Sequence, residues 1–292
     1  MARLLILGSG GRLGAALARL YEKDFEVTGL NRAAVDLSSG EAIEQAVGPL
    51  SSLSFDVLVN CAALTNVDYC ETHEAEAMRI NAHAVGEIAR LCEKKRARMI
   101  HISTDYVFDG AKTTPYVEED PAVSISVYGE SKLRGEEELL AASGRHLAVR
   151  VSWVFGPDRP SFIDGILKRA EAEERVDAIG DKYSTPAYTL DIAEYLRPFL
   201  VDVPEGGLLH ICNSGECSWQ EYGQYALDCA ARAGAPLKGR KVEPLLLKDL
   251  KAFVAKRPVY TVLSTEKLTR LTGVKPRTWQ DAVAAFVAKK YA

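Results

Sequence analysis

The chain has 292 residues, of which 47% are hydrophobic and 26% charged, as in an ordinary globular protein that buries a large core. Its net charge of −4 predicts neither a nucleic-acid nor a membrane surface, and no apolar run reaches membrane-spanning length. The six cysteines are scattered among predicted strands and helices. We therefore expect reduced thiols, a cytoplasmic location and no structural metal.

The first predicted element is a short apolar strand that runs into glycines and then into a helix. Gly8, Gly11 and Gly14 follow the strand at a GxxGxxG spacing. Glycines let the backbone turn sharply and approach a pyrophosphate, and the helix N-terminus offers free N–H groups. A glycine-rich turn without a ligand is the alternative. The order strand, glycines, helix favours a dinucleotide site.

A second predicted strand, residues 26–30, ends at Asn31 and Arg32. An acidic residue at this strand end would bind the ribose hydroxyls of NAD. Asn31 followed by a cation that could face a 2′-phosphate favours NADPH, with NADH as the alternative. Arg32 could equally be a solvated surface residue. Asp36 and Leu37, just beyond, could border the adenine.

Strand and helix patterns continue to alternate along the chain. We predict strands at 55–60, 99–103, 146–153 and 208–212, and helices at 74–94, 131–142, 190–199, 219–231 and 278–290. The predicted fold class is α/β, a Rossmann-like doubly wound parallel sheet with a smaller mixed α/β substrate lobe. Residues 1–157 and 187–213 form the predicted dinucleotide-binding domain, and residues 158–186 and 214–292 the substrate-binding lobe.

Unusual residues follow the predicted strand ends, where such sheets bind their ligands. Cys61, Ala62 and Ala63 follow one strand, and the small alanines would let the backbone approach a flat cofactor or merely pack tightly. Thr104 follows the next strand and could donate a hydrogen bond to a substrate oxygen, or cap the strand end. Trp153 could form an apolar wall against a sugar ring, or be a core tryptophan.

Tyr128 and Lys132 stand four residues apart in the run Tyr128-Gly129-Glu130-Ser131-Lys132. On a helix this spacing places phenol and ammonium on one face, where the cation is expected to lower the pKa of the phenol. Such a pair suits the proton half of a carbonyl/alcohol redox reaction. Tyr and Lys at this spacing also occur on ordinary helix surfaces.

Taken together, these motifs resemble the extended short-chain dehydrogenase/reductase superfamily and, within it, the dTDP-4-dehydrorhamnose reductases. The matching segments are the Gly8–Gly14 loop, Asn60–Ala63 with Thr65 and Val67-Asp68, Ser103–Phe108, Pro115-Tyr116, Tyr128–Leu133, Arg150–Gly156, Ser184–Tyr188, Cys217–Trp219 and Arg257–Tyr260. The resemblance implies NAD(P)H-dependent reduction of the C4 ketone of a nucleotide-linked 4-keto-6-deoxy sugar, with dTDP-4-dehydrorhamnose as the expected substrate. It places the reaction in nucleotide-sugar and cell-surface polysaccharide biosynthesis and suggests a homodimer.

The resemblance also implies roles for individual residues. Tyr128 would be the catalytic acid, Lys132 its pKa partner and ribose ligand, and Thr104 the hydroxyl that polarises the carbonyl. Asp105, Tyr106 and Trp153 would contact the substrate. The expected cofactor-binding residues are Gly8, Gly10, Gly11, Arg12, Leu13, Gly14, Asn31, Arg32, Asp36, Leu37, Cys61, Ala62, Ala63, Thr65, Tyr128 and Lys132.

The sequence departs from the family pattern at two places. Lys182-Tyr183-Ser184 stands where these reductases usually carry a glutamine and, two residues later, a glycine, and Asn66 replaces a small residue. Two alternatives stay open. A nucleotide-sugar dehydratase or epimerase shares the fold, but the dehydratases place a glutamate where Tyr106 stands. A non-catalytic member, such as the regulatory subunit of methionine adenosyltransferase, keeps the cofactor fold without turnover.

Overall fold

The computed structural model describes residues 1–291. The strands are β1 (Arg3–Leu7), β2 (Glu26–Leu30), β3 (Val57–Asn60), β4 (Arg98–Thr104), β5 (Leu147–Val151), β6 (Val154–Phe155), β7 (Val176–Ile179), β8 (Tyr183–Ser184), β9 (Ala187–Tyr188), β10 (Gly207–His210), β11 (Cys217–Ser218) and β12 (Val242–Leu245). The α-helices are α1 (Arg12–Tyr21), α2 (Gly40–Val47), α3 (Val67–Thr72), α4 (Glu74–Met78), α5 (Ala84–Lys94), α6 (Val127–Ala142), α7 (Phe162–Ala172), α8 (Thr189–Leu196), α9 (Pro198–Val201), α10 (Trp219–Arg232), α11 (Glu266–Thr272) and α12 (Trp279–Lys290). Within this part of the chain, no helix is long and apolar enough to cross a membrane.

Six strands form the central sheet in the order β10-β5-β4-β3-β1-β2, and all five pairings are parallel. The chain first moves from β1 outward to β2 and then returns to build the other side from β3. The switch point of the topology therefore lies between the ends of β1 and β3, where such sheets bind their ligands. The predicted α/β fold with a parallel sheet is confirmed.

Both faces of the sheet are covered, and the alternation of side chains along β1 shows how. Leu4 and Ile6 pack into a core that includes Leu17 of α1, whereas Leu5 and Leu7 pack into a core that includes Ile88 of α5. A strand buried on both faces has to be apolar throughout, because alternate side chains point to opposite sides. This requirement explains the short apolar runs of the sequence.

A third core lies outside the sheet, among α7, α10, α12, β7 and β12. Leu167, Tyr222, Val242 and Phe286 are buried members of this core. Leu263 packs with the core on the α1 side of the sheet, although the predicted division assigns its segment to the substrate lobe.

Several predicted elements have different bounds in the structure, among them the following three. The helix predicted over 74–94 is split into α4, a π-helical segment (Arg79–His83) and α5. The helix predicted over 190–199 ends at Leu196, and Pro198, which has no N–H to continue it, opens α9. The strand predicted over 146–153 ends at Val151.

Candidate active site

The glycine loop between β1 and α1 lies against the chain that follows β3. Gly8 has a φ of +78°, and a Cβ there would lie 2.7 Å from the backbone nitrogen of Ala62. A Cβ at Gly14 would lie 2.2 Å from the carbonyl oxygen of Gly8. Gly11 precedes α1 and provides no side-chain cap, so the first N–H groups of that helix are available to an anion.

A cavity of about 440 Å³ opens beside this loop at the switch point of the sheet. The predicted cofactor residues that line it are Gly8, Gly10, Gly11, Asn31, Arg32, Asp36, Leu37, Cys61, Ala62 and Ala63. The uncapped helix start, the close backbone approach and the cavity together fit a dinucleotide with its pyrophosphate at the start of α1.

The remaining predicted cofactor residues lie outside the lining of this cavity. Gly14 is buried under the loop and Leu13 in the core, whereas Thr65 is exposed. Arg12 points away and donates from Nη1 to the carbonyl oxygen of Val154 at 3.1 Å. Its Nε also donates to the carbonyl oxygen of Arg159 at 3.2 Å, which holds the loop after β6 against the start of α1.

The sequence analysis missed Arg159, which lines the cavity from the loop after β6. Its Nε donates to the carbonyl oxygen of Gly10 at 3.0 Å. The residues are 149 positions apart, and no local motif marks such a contact. Arg159 could not be predicted, because only the tertiary packing of the chain brings the loop after β6 to the glycines.

The end of β2 is held by side-chain contacts with its own backbone. Asn31 Oδ1 accepts from the backbone nitrogens of Ala33 at 3.0 Å and Ala34 at 3.2 Å. Hydrogen bonds from Ser38 hold the pKa of the Asp36 carboxyl below its ordinary value. Arg32 is exposed at the cavity between them. This corner therefore presents one cation and one carboxylate to a ligand.

Tyr128 lies in the first turn of α6, which begins earlier than predicted because Ser126 caps it. The Ser126 Oγ accepts from the backbone nitrogen of Gly129 at 3.2 Å. Tyr128 is only 9% exposed, and its ring meets that of Tyr106 edge-on with centroids 5.6 Å apart. Leu64 connects this region to the cavity, because it packs against the cluster of Cys70, Ala77, Tyr106 and Tyr128 and also lines the cavity wall.

The expectation that Lys132 lowers the pKa of Tyr128 is wrong for this structure. Burial raises the pKa of Tyr128 because a phenolate loses its hydration there, and the nearby Thr104 hydroxyl acts in the opposite direction. The Lys132 amine is directed elsewhere. Its Nζ lies 2.7 Å from the carbonyl oxygen of Ile102 and 2.9 Å from Nε2 of His101.

Lys132 is itself buried, at 2% exposure, and burial lowers its pKa to about 8. Two residues that the sequence analysis missed support this environment. His101 is a buried residue of β4 whose side chain contacts Lys132. Asn81, in the π-helical segment, accepts from the backbone nitrogen of Leu64 at 2.8 Å and donates to Ser131 Oγ at 3.0 Å. Asn81 lies in a π-helical turn, and sequence periodicity does not reveal such a turn. No local pattern in the sequence therefore marks this residue.

Asp105 orients the Thr104 hydroxyl. Thr104 Oγ1 donates to Asp105 Oδ1 at 3.2 Å and accepts from the backbone nitrogen of Tyr106 at the same distance. The other carboxylate oxygen accepts from Ser184 at 3.1 Å and Thr261 at 2.5 Å. Asp105 is only 2% exposed, and this buried carboxylate accepts hydrogen bonds from three hydroxyl donors.

Lys182, where the sequence departs from the family pattern, is completely buried. Its Nζ donates to the carbonyl oxygen of Pro258 at 2.7 Å. The same atom lies 5.1 Å from the ring centre of Tyr106 and 5.8 Å from that of Trp153. Burial lowers the pKa of Lys182 to about 8, and the charge of Asp105 opposes that effect. Lys182 therefore connects two predicted substrate contacts to the segment around Pro258.

Trp153 is half-buried and adopts a φ of +39°, which is rare for a tryptophan. Its ring packs on Trp219, with the centroids 5.6 Å apart. Its Nε1 is buried, and no hydrogen-bond partner lies within the described residues 1–291. The packing of the ring against the third core agrees with a core tryptophan. The unpaired N–H leaves a donor for a sugar, as a substrate contact would need.

Comparisons with known proteins agree over the whole chain. The family profile described as "RmlD substrate binding domain" matches residues 2–292. A spore coat polysaccharide biosynthesis protein of Bacillus subtilis, SpsK, is 32% identical and aligns with 99% of this chain and 98% of its own length. A dTDP-4-dehydrorhamnose reductase of Burkholderia thailandensis is 31% identical over 98% of each chain. The crystal structure of a dTDP-4-dehydrorhamnose reductase from Bacillus anthracis in complex with NADP superposes with a TM-score of 0.91, at 25% identity over 99% of both chains.

Proposed function

The chain belongs to the dTDP-4-dehydrorhamnose reductase family, and on this basis we propose that it is an NADPH-dependent oxidoreductase of nucleotide-sugar biosynthesis. It reduces the C4 ketone of a nucleotide-linked 4-keto-6-deoxy sugar, with dTDP-4-dehydrorhamnose as substrate and dTDP-rhamnose as product. The names of its relatives and the NADP bound to one of them support this reaction. The observation that carries the proposal is that the hydroxyls of buried Tyr128 and Thr104 lie close together. Leu64, which packs against the cluster that contains Tyr128, also lines the dinucleotide-sized cavity.

The proposed mechanism assigns one task to each side chain. The hydride for C4 comes from the nicotinamide of bound NADPH. Tyr128 gives its proton to the carbonyl oxygen as negative charge develops there. Thr104 turns its hydroxyl from Asp105 toward the same oxygen and shares that charge. Lys132, as a cation, would stabilise the phenolate that forms on Tyr128 when its proton is lost. It would also donate a hydrogen bond to the nicotinamide ribose.

We also propose how the rest of the chain divides the work. Residues 1–157 with 187–213 hold the dinucleotide, and residues 158–186 with 214–292 hold the nucleotide sugar. Asp105, Tyr106 and Trp153 form the sugar side of the site. A homodimer and a cytoplasmic location complete the proposal.

The decisive experiment compares two adjacent buried tyrosines, Tyr128 and Tyr106. NADPH oxidation is followed with dTDP-4-dehydrorhamnose for wild type, Tyr128→Phe and Tyr106→Phe. Loss of the proton donor should lower kcat of Tyr128→Phe by about 10²- to 10⁴-fold. Its Kd for NADPH, from fluorescence titration, should stay within about twofold of wild type. Tyr106→Phe is the matched control, since it removes a neighbouring phenol and should retain most of kcat.

Other outcomes would point to the alternatives. Near wild-type turnover by Tyr128→Phe would contradict the assignment of this residue. NADPH binding without oxidation by the wild-type protein would indicate a non-catalytic member of the family. Formation of a 4-keto-6-deoxy product from an intact nucleotide hexose would indicate a dehydratase.

A further inference from the structure

We propose that Arg159 is a cofactor-binding residue whose guanidinium binds the pyrophosphate of the dinucleotide. The proposal rests on the proposed function only in taking a dinucleotide as the ligand of the cavity, and it requires neither turnover nor a particular sugar. Arg159 lies in the loop between β6 and α7, outside the segments through which the chain resembles the reductase family.

The side chain of Arg159 is anchored on the glycine loop itself. Its Nε donates to the carbonyl oxygen of Gly10 at 3.0 Å, and the residue lines the cavity together with Gly10 and Gly11. Gly11 immediately precedes the uncapped start of α1, where a fold of this kind binds the pyrophosphate. The guanidinium therefore stands beside the backbone N–H groups that are available to the two phosphates.

Most of the hydrogen-bond donors of this guanidinium are free. An arginine has five N–H donors, and the bond to Gly10 uses the single one on Nε. Within residues 1–291, neither Nη atom of Arg159 has a hydrogen-bond partner or a carboxylate oxygen within 4.0 Å. The carboxylate of the preceding residue, Asp158, is paired with Arg19 at 3.0 Å. The remaining N–H groups form a fork that suits two oxygens of a phosphate.

Arg12, the cation expected at the start of α1, does not compete for this place. Its guanidinium donates to the carbonyl oxygens of Val154 at 3.1 Å, Arg159 at 3.2 Å and Pro160. Arg12 thus fixes the backbone of the loop after β6, and the side chain of Arg159 returns from that loop to Gly10. Of these two arginines, Arg159 is the one that lines the cavity and keeps free donors there.

The charged residues that line the cavity lie in two places. Arg32 and Asp36 lie at and beyond the end of β2, whereas Arg159 lies at the glycine loop. A Cβ at Gly10 would lie 3.6 Å from Cβ of Asn31, so a 2′-phosphate is the other anion within reach of this region. The pyrophosphate is common to NADH and NADPH, but only NADPH carries a 2′-phosphate. A pyrophosphate contact therefore predicts an equal loss of affinity for both cofactors when Arg159 is removed.

The test measures cofactor binding to the full-length protein without substrate, by fluorescence titration with NADH and with NADPH. Arg159→Gln removes the charge and should raise Kd about 5- to 20-fold, by the same factor for the two cofactors. Arg159→Lys keeps the charge but lacks the planar fork, so its Kd should lie between those of wild type and Arg159→Gln.

Asp158→Asn is the matched control, because it removes the ion pair of the neighbouring residue with Arg19 and leaves Arg159 in place. Its Kd for each cofactor should stay within about twofold of wild type. Salt provides a readout that the packing of the loop would not move. Raising NaCl from about 0.1 M to about 1 M shortens the Debye length from about 10 Å to about 3 Å, so the ratio of Kd between Arg159→Gln and wild type should fall at least about threefold.

The possible outcomes separate this proposal from the proposed function. Unchanged Kd values in Arg159→Gln would overturn the proposal, and so would a loss confined to NADPH, which would assign the contact to the 2′-phosphate. An equal loss in Asp158→Asn, or a ratio that salt does not change, would assign the effect to loop packing and overturn it too. A wild-type protein that binds neither cofactor would refute the proposed function together with this proposal. Cofactor binding without turnover would count only against the proposed function.

Discussion

The two buried lysines, Lys132 in α6 and Lys182 between β7 and β8, show how equal burial leads to different chemistry. Burial lowers the pKa of each to about 8. The Lys132 Nζ lies 2.9 Å from Nε2 of His101 and 2.7 Å from the carbonyl oxygen of Ile102. The Lys182 Nζ faces two aromatic rings, which attract a cation. Two lysines with the same lowered pKa therefore have different partners, and we expect them to serve different steps.

The largest expected effect comes from removing Lys132. Lys132→Met should lower kcat with dTDP-4-dehydrorhamnose by at least about 10²-fold, because the phenolate formed on Tyr128 in the proposed mechanism loses the nearby cation. Steady-state NADPH oxidation measures this change. Lys95→Met is the matched control, since Lys95 also donates to a carbonyl oxygen (Leu53, 2.7 Å) but lies after α5. A kcat within threefold of wild type would remove the proposed role of Lys132.

Removing Lys182 should act on substrate binding and not on the chemical step. Lys182→Met should raise KM for the sugar nucleotide about tenfold, since the cation holds the rings of Tyr106 and Trp153. The value of kcat should change by less than about threefold. Lys182→Gln should lie between wild type and Lys182→Met, because an amide can still donate to Pro258 but carries no charge.

The same Lys95→Met variant serves as control for Lys182. The Lys95 Nζ lies 5.1 Å from the ring centre of Phe55, so this lysine has the same kinds of partner away from the site. A tenfold loss in kcat of Lys182→Met with unchanged KM would contradict the prediction, because Lys182 would then act on the chemical step, as Lys132 is proposed to do. An equal loss in Lys95→Met would assign the effect to general packing.

The smallest expected effect is on stability at alkaline pH. Each buried lysine has a folded-state pKa of about 8, below the ordinary value of 10.5. Between these pH values the unfolded chain binds more protons, so the free energy of unfolding should rise with pH. Lys132→Met and Lys182→Met should each lose about 1–3 kcal/mol of that rise. Urea unfolding at intervals from pH 7.5 to pH 9.5 measures the difference, and identical slopes in all variants would contradict it.

Local patterns in the sequence were sufficient to predict the sheet and the glycine loop. The apolar run of β1 and the glycine spacing after it depend on residues within about one turn of each other, so the sequence records them directly. Tyr128 and Lys132 also follow from local spacing, since both lie in α6. The split of the 74–94 helix could not be predicted, because Asn81 forms its bonds with Leu64 and Ser131, 17 and 50 residues away.

By itself, the sequence determined the six strands of the central sheet, the dinucleotide loop and the family. These depend on periodicity and on short motifs that act where they stand. The tertiary structure alone decided which groups face Lys132 and Lys182, and that burial lowers the pKa of both lysines to about 8. The physical reason is that desolvation and hydrogen-bond partners come from distant elements: His101 stands 31 positions from Lys132, and Pro258 stands 76 positions from Lys182.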